Sequence, residues 1–252
     1  MSGSAVREIP KVTHTIASRH HGKDVLCARW GWYGTPVLLF PTAGGDAEEH
    51  ERFKMMVVLR PLLEAGRIKV FSCDSVAGQT LTRKDRTPAE FAREQDRFDR
   101  FLSQELVPWI RHDCGSPDIG IISAGASIGA FEALAVLCRH PDKFTKAICM
   151  SGTYDLTKWL DGPMGLDFYY SSPLHFLPGL ADDSEQLRRL RERFVLLVHG
   201  QGRAEEPSQS WRVAKLLGAR GVPNRVDEFG PDMHHDWISW REWLPKYLDR
   251  MA

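Results

Sequence analysis

The chain has 252 residues, 42% of them hydrophobic and 26% charged, enough for one sizeable soluble core over residues 1–252 without a second domain. Lysine plus arginine equals aspartate plus glutamate at 33 each, so no net field recruits nucleic acid or an anionic membrane surface. The first residues lack an apolar core of signal-peptide length, no window reaches a membrane span, and the five cysteines form no C-x-x-C pair, so a cytoplasmic protein with buried free thiols and no metal site is expected.

In chain order, Val12 to Ile16 and Asp24 to Trp30 are β-prone runs separated by a His20-His21-Gly22-Lys23 turn, which predicts an antiparallel hairpin at a sheet edge. The histidine pair has no third ligand nearby and reads as a solvated turn rather than a metal site. Val37 to Phe40 is a continuous apolar run of the kind a strand buried on both faces requires. It leads into Pro41-Thr42-Ala43-Gly44-Gly45-Asp46, a small-residue loop able to bring backbone N–H groups close to a reacting carbonyl. The acidic residues Glu48, Glu49 and Glu51 fall at a helix start, where the helix dipole accounts for them. Ile68 to Cys73 is the next strand and ends in Asp74-Ser75, at a strand end of the kind that is often functional in open α/β sheets; the alternative is that Asp74 simply hydrogen-bonds the backbone of the glycine loop.

Thr87 to about Arg111 carries Phe91, Phe98, Phe101, Leu102, Leu106 and Ile110 on one helical face, with Thr87, Pro88 and Glu90 as a capping sequence. A strand from Asp118 to Ser123 follows, and then Gly125-Ala126-Ser127-Ile128-Gly129 opens an amphipathic helix to about Arg139. Strand, Gly-x-Ser-x-Gly and helix is the order in which a nucleophile elbow presents a serine, so Ser127 is the candidate nucleophile and the helix N-terminus its electrostatic support. Lys146 to Gly152 is a further strand, and the alternation predicts a parallel, doubly wound sheet.

Residues from about Tyr154 to Arg191 break the rhythm with Trp159, Phe168, Tyr169, Tyr170 and Phe176 among several Pro and Gly. The stretch suits a short irregular cap whose rings, Trp159, Phe168, Tyr169 and Tyr170 foremost, border an acyl or aryl pocket. Phe194 to Val198 resumes the sheet and is followed by Glu205 and Glu206, where the acid of a triad in the order Ser, acid, His belongs; Glu205 is the first choice and Glu206 the second. The last strand, Asn224 to Phe229, precedes the pair His234-His235 and a helix from Trp237, and a histidine on that loop can act as base to Ser127.

On Phe40-Pro-Thr-Ala-Gly-Gly45, Asp74-Ser75, Gly125-Ala-Ser-Ile-Gly129, Arg139-His-Pro-Asp142, Gly200-Gln-Gly-Arg-Ala-Glu-Glu-Pro207 and His235-Asp-Trp237 with Trp240, the chain resembles an esterase family of α/β-hydrolases. That family includes S-formylglutathione hydrolases, feruloyl esterases, enterochelin esterases and mycolyltransferases. The resemblance implies the α/β-hydrolase fold, selects His235 over His234, and makes the backbone N–H groups of Ala43 and Ile128 the oxyanion donors. It departs at Ala204, where relatives often carry tryptophan, and at His234, where they carry glycine or a small polar residue. It implies no metal and no organic cofactor. The expectation is a serine carboxylic-ester hydrolase acting through an acyl-enzyme on a small acyl or aryl ester, with a homodimer left open. The rivals are an acyltransferase or thioesterase with the same triad, or a non-catalytic hydrolase-fold binding protein.

Overall fold

The computed structural model describes residues 8–159 and 165–252. Eight strands, β1 (Lys11–Ser18), β2 (Lys23–Trp30), β3 (Thr35–Phe40), β4 (Ile68–Cys73), β5 (Ile121–Ala126), β6 (Phe144–Met150), β7 (Phe194–His199) and β8 (Asn224–Glu228), form one sheet in the order β1-β2-β4-β3-β5-β6-β7-β8. The β1–β2 hairpin is antiparallel, β2 joins β4 antiparallel, and every later pairing is parallel. Both the edge hairpin and the parallel remainder follow the sequence expectation. The elbow strand starts later than expected, at Ile121 rather than Asp118, and runs through Gly125 and Ala126.

The helices are α1 (Glu49–Arg52), α2 (Met55–Glu64), α3 (Val76–Thr82), α4 (Pro88–Phe101), α5 (Val107–Asp113), α6 (Ile128–Arg139), α7 (Leu166–Ser171), α8 (Pro173–Phe176), α9 (Glu185–Leu190), α10 (Pro207–Ala219) and α11 (Trp237–Met251). A π-helical turn over Leu102–Leu106 joins α4 to α5. The capping box expected at Thr87 is present: its hydroxyl accepts the Glu90 N–H while the Glu90 carboxylate accepts the Thr87 N–H, satisfying two first-turn donors.

Because side chains alternate along a strand, even an all-apolar strand feeds two cores. On β3, Leu38 and Phe40 enter one core with Phe98, Phe101, Phe131 and Leu134 from α4 and α6. Val37 and Leu39 enter the other, with Leu59 from α2 and Trp240, Trp243 and Tyr247 from α11. Each such fully buried aliphatic or Phe side chain contributes about 1.5–3 kcal/mol of transfer free energy, and together they fix the sheet on which the loops at its C-terminal edge are displayed. Four of the five cysteines are buried, all five are free, and burial pushes the Cys149 thiol up to about 12. No helix among the described residues is long and apolar enough to cross a membrane.

Candidate active site

Ser127 stands between β5 and α6 with φ 58° and ψ −120°, a backbone conformation that L residues adopt only under tertiary constraint, at a cost of about 1–3 kcal/mol. Its N–H donates to the Met150 carbonyl at 3.0 Å, and its own carbonyl accepts the Thr153 N–H at 3.2 Å, so both flanks of the residue are tied to the end of β6. The two glycines of the motif have a steric cause. A Cβ at Gly125 would fall onto the Gly129 carbonyl, and one at Gly129 would lie 2.6 Å from the carbonyl oxygens of Phe40 and Pro41. Phe40 pairs with Gly125 across β3 and β5, and these contacts press the start of α6 against the loop leaving β3.

That loop carries Ala43. Gly44 is at φ 75°, the left-handed conformation a glycine supplies without strain, and the Gly45 N–H closes the turn onto the Thr42 carbonyl at 3.0 Å. The loop is held from below by Glu49, only 6% exposed, whose two carboxylate oxygens accept the Thr42 N–H and the Thr42 hydroxyl, each at 2.7 Å. The dipole reading of Glu49 is therefore incomplete: its side chain turns back to the loop. Asp74 takes the hydrogen-bonding alternative, accepting the Ala47 N–H at 3.1 Å and the Leu26 N–H at 3.2 Å.

The two loops after β7 and β8 interlock. Gly202 donates to the Met233 carbonyl at 2.9 Å, His235 donates its backbone N–H to the Arg203 carbonyl at 3.1 Å, and a Cβ at Gly202 would land on the His234 ring. His234 is fixed by this packing, since its Nδ1 accepts the Arg203 N–H at 3.0 Å and its N–H donates to the Ser239 hydroxyl at 2.9 Å. Asp236 caps α11 by accepting the Ile238 and Ser239 N–H groups.

Glu205 is half-buried and follows Ala204, another residue in the left-handed region at φ 62°. Its Oε1 accepts the Ser151 hydroxyl at 2.6 Å, and the same hydroxyl accepts the indole N–H of Trp240 at 2.9 Å. The Trp240 ring meets the His235 imidazole edge-on, centroids 5.3 Å apart at 76°. Burial raises the Glu205 carboxyl above its ordinary value, opposed by the Ser151 and Gly200 hydrogen bonds and by His199. Burial lowers the His235 imidazole below 6.5, opposed by the Glu206 and Asp236 carboxylates. Glu206 itself is exposed, stands at the start of α10 and accepts the Gln209 side-chain amide at 3.0 Å. Among the described residues, no hydrogen bond joins the His235 ring to Ser127 or to Glu205; in unliganded hydrolases these contacts are commonly long and tighten with substrate.

Three of the four rings expected in the cap, Phe168, Tyr169 and Tyr170, lie among the described residues. Phe168 is 2% exposed and packs on His175, so it belongs to the core. Tyr169 and Tyr170 line a cavity of about 370 Å³ with Arg139, His140 and Gln186. Arg139 ends the 12-residue α6, which puts that cavity about 18 Å along the helix from Ser127. Both tyrosines stand on α7, which packs on α4. Trp159 closes a 3₁₀ turn, and its side chain lies outside the described residues. The aromatic ring adjoining His235 is Trp240; Trp240 meets Trp237 edge-on, and Trp237 in turn stacks on Phe53 at 4.6 Å. Sequence reading missed Ser151 and Glu49. The only signals for them were a polar residue closing an apolar strand and an acid seven residues after Thr42 of the glycine loop.

The family model described as "Putative esterase" matches residues 47–251. Two solved structures share the fold: a ferulic acid esterase, 15% identical with a TM-score of 0.72 over 97% of this chain and 99% of that one, and an S-formylglutathione hydrolase from Staphylococcus aureus, 15% identical with a TM-score of 0.69 over 97% and 96%. The MPT51 antigen of Mycobacterium leprae is 41% identical over 56 residues, a stretch covering 22% of this chain and 19% of that protein.

Proposed function

Because the chain belongs to the "Putative esterase" family of α/β-hydrolases, we propose that it is a serine carboxylic-ester hydrolase in which Ser127, His235 and Glu205 react as a unit. The observation that carries this reading is the strained Ser127 backbone at the junction of β5 and α6, with the β3 loop pressed against Gly129. Strain of this kind persists at sites where the surrounding structure over-determines it.

Ser127 attacks the ester carbonyl while His235 takes its proton and later gives it to the leaving alcohol. Glu205 fixes the imidazole tautomer and stabilises imidazolium. Its half-buried, hydrogen-bonded carboxylate supports it over Glu206, which is exposed and engaged at the start of α10. The N–H groups of Ala43 and Ile128 receive the oxyanion, one from the loop braced by Glu49 and one from the first turn of α6, where the helix dipole adds to it. Water then hydrolyses the acyl-enzyme.

The substrate class is a small acyl or aryl ester, and the likeness to a ferulic acid esterase supports the aryl arm. A cytoplasmic setting is part of the same proposal, in keeping with five free cysteines. Hydrolysis of p-nitrophenyl esters of graded chain length by the wild type and by Ser127→Ala tests the reading: only the wild type should turn over.

A further inference from the structure

Ser151 is the first residue after β6 and is 4% exposed. Its φ of 45° lies in the left-handed region that favours glycine, and its N–H is fixed to the Val198 carbonyl at 2.7 Å. Glycine follows immediately at 152, so the strain at 151 accompanies a side chain that does something there.

Its hydroxyl has one proton to give and lone pairs to offer, and here both capacities are used. An indole N–H can only donate, so the Trp240 contact at 2.9 Å takes up a lone pair of the Ser151 oxygen. The hydroxyl proton is then free for Glu205 Oε1, 2.6 Å away, the length of a hydrogen bond to an ionised carboxylate. The order Trp240 to Ser151 to Glu205 thus has one direction. It begins on the indole whose ring lies against His235 and ends on the carboxylate assigned to that histidine.

We propose that Ser151 is a positioning residue for ester hydrolysis: its hydroxyl, aligned by the Trp240 indole, holds the Glu205 carboxylate oriented and ionised toward His235. This rests on the reading of Glu205 and His235 as members of the triad. Burial works against ionisation of Glu205, and the Ser151 hydroxyl opposes that effect. A plainly structural role, the mere pairing of two buried polar groups, makes different demands, and glycine separates the two. Ser151→Gly removes the hydroxyl and at the same time releases the backbone strain, so the fold should not suffer.

The test measures kcat, KM and thermal midpoint from pH 5 to 9 on p-nitrophenyl acetate for the wild type, Ser151→Gly, Ser151→Ala, Glu205→Gln and the Glu205→Gln/Ser151→Gly double variant. Both single Ser151 variants should lose about ten- to a hundredfold in kcat with KM within about twofold, less than loss of the acid itself. The acid limb of their kcat profile should move to higher pH, because the carboxylate has lost a donor to its charged form. Ser151→Gly should melt no lower than the wild type, and in the Glu205→Gln background it should cost nothing more. Wild-type kcat in both Ser151 variants, an unmoved acid limb, or an equal further loss in the Glu205→Gln background overturns the proposal. If Glu205→Gln alone is silent, the triad reading fails at the acid, a result distinguishable from failure at Ser151.

Discussion

Arg203 donates its backbone N–H to the Nδ1 of His234 at 3.0 Å, so one histidine of the adjacent pair is committed to joining two loops. Among the described residues no hydrogen bond ties the ring of the neighbouring His235, and its own backbone N–H returns to the Arg203 carbonyl. His235→Ala should therefore lower kcat/KM by at least about a thousandfold, and His234→Ala by less than about tenfold while lowering the melting temperature. Burial places the His235 imidazole below 6.5, and a base must be neutral to act. The acid limb of the rate should therefore lie lower than that of an ordinary imidazole. A reversed ranking of the two variants, or an acid limb above neutrality, reassigns the base.

The Glu49 carboxylate holds Thr42, one residue before the assigned oxyanion donor Ala43. Glu49→Ala should lower kcat by about a hundredfold or more, the scale of a lost oxyanion donor, with KM nearly unchanged because the N–H is aimed at charge that develops in the transition state. Glu49→Gln keeps an acceptor for the Thr42 N–H and should keep most of the activity. Equal losses in the two variants would mean that the charge, rather than the position of the loop, is what matters.

Glu132 lies on α6 one turn beyond the nucleophile, 2% exposed, and accepts the Gln95 side-chain amide at 2.7 Å. Burial raises its carboxyl from 4.5 to about 8; the Gln95 hydrogen bond and Arg139 oppose this, and Asp99 adds to it. The folded protein thus favours the protonated form. There is no penalty below the unfolded value, stability falls as pH rises from about 4.5 to 8, and the penalty is complete above, of order 4–5 kcal/mol. Chemical denaturation from pH 5 to 9 should show Glu132→Gln overtaking the wild type as pH rises; parallel curves would mean that the carboxyl ionises without cost.

The motif glycines and a surface glycine should respond in opposite senses. Gly129→Ala drives a methyl to 2.6 Å from two backbone carbonyl oxygens that no side-chain rotation can clear, so a loss of about 2–4 kcal/mol is expected. Gly218, near the end of α10, has nothing within 4 Å of the place a methyl would occupy, and Gly218→Ala should stabilise by about 0.5–1 kcal/mol. Thermal melts of both variants decide this, and a tolerated Gly129→Ala would contradict the close approach of α6 to the β3 loop.

The sheet and the elbow were legible in the sequence for one physical reason: strands buried on both faces must be continuously apolar, and a sharp strand-to-helix turn admits only small flanking residues. Val37 to Phe40, Phe194 to Val198 and Gly125 to Gly129 report their environment locally. The cap did not. Phe168, Tyr169 and Tyr170 sit in the short helix α7, where aromatic character is the same whether a ring lines a pocket or fills a core, and only the packing of α7 on α4 separates the two. Ser151 was illegible because its role is made by Glu205, 54 residues away, and Trp240, 89 away. Glu49 was misread because an acid at a helix start satisfies the dipole argument whichever way its side chain turns.

The central claim is that Ser127 is an activated nucleophile served by His235. Intact-protein and peptide mass spectrometry after incubation with a fluorophosphonate tests it directly, with the folded wild type, Ser127→Ala and His235→Ala side by side. The account predicts one adduct on the wild type, mapped to the peptide at Ser127, none on Ser127→Ala, and labelling slowed by at least about a hundredfold on His235→Ala, since general-base assistance contributes about that much. An unlabelled wild type, or an adduct on any other residue, would contradict it.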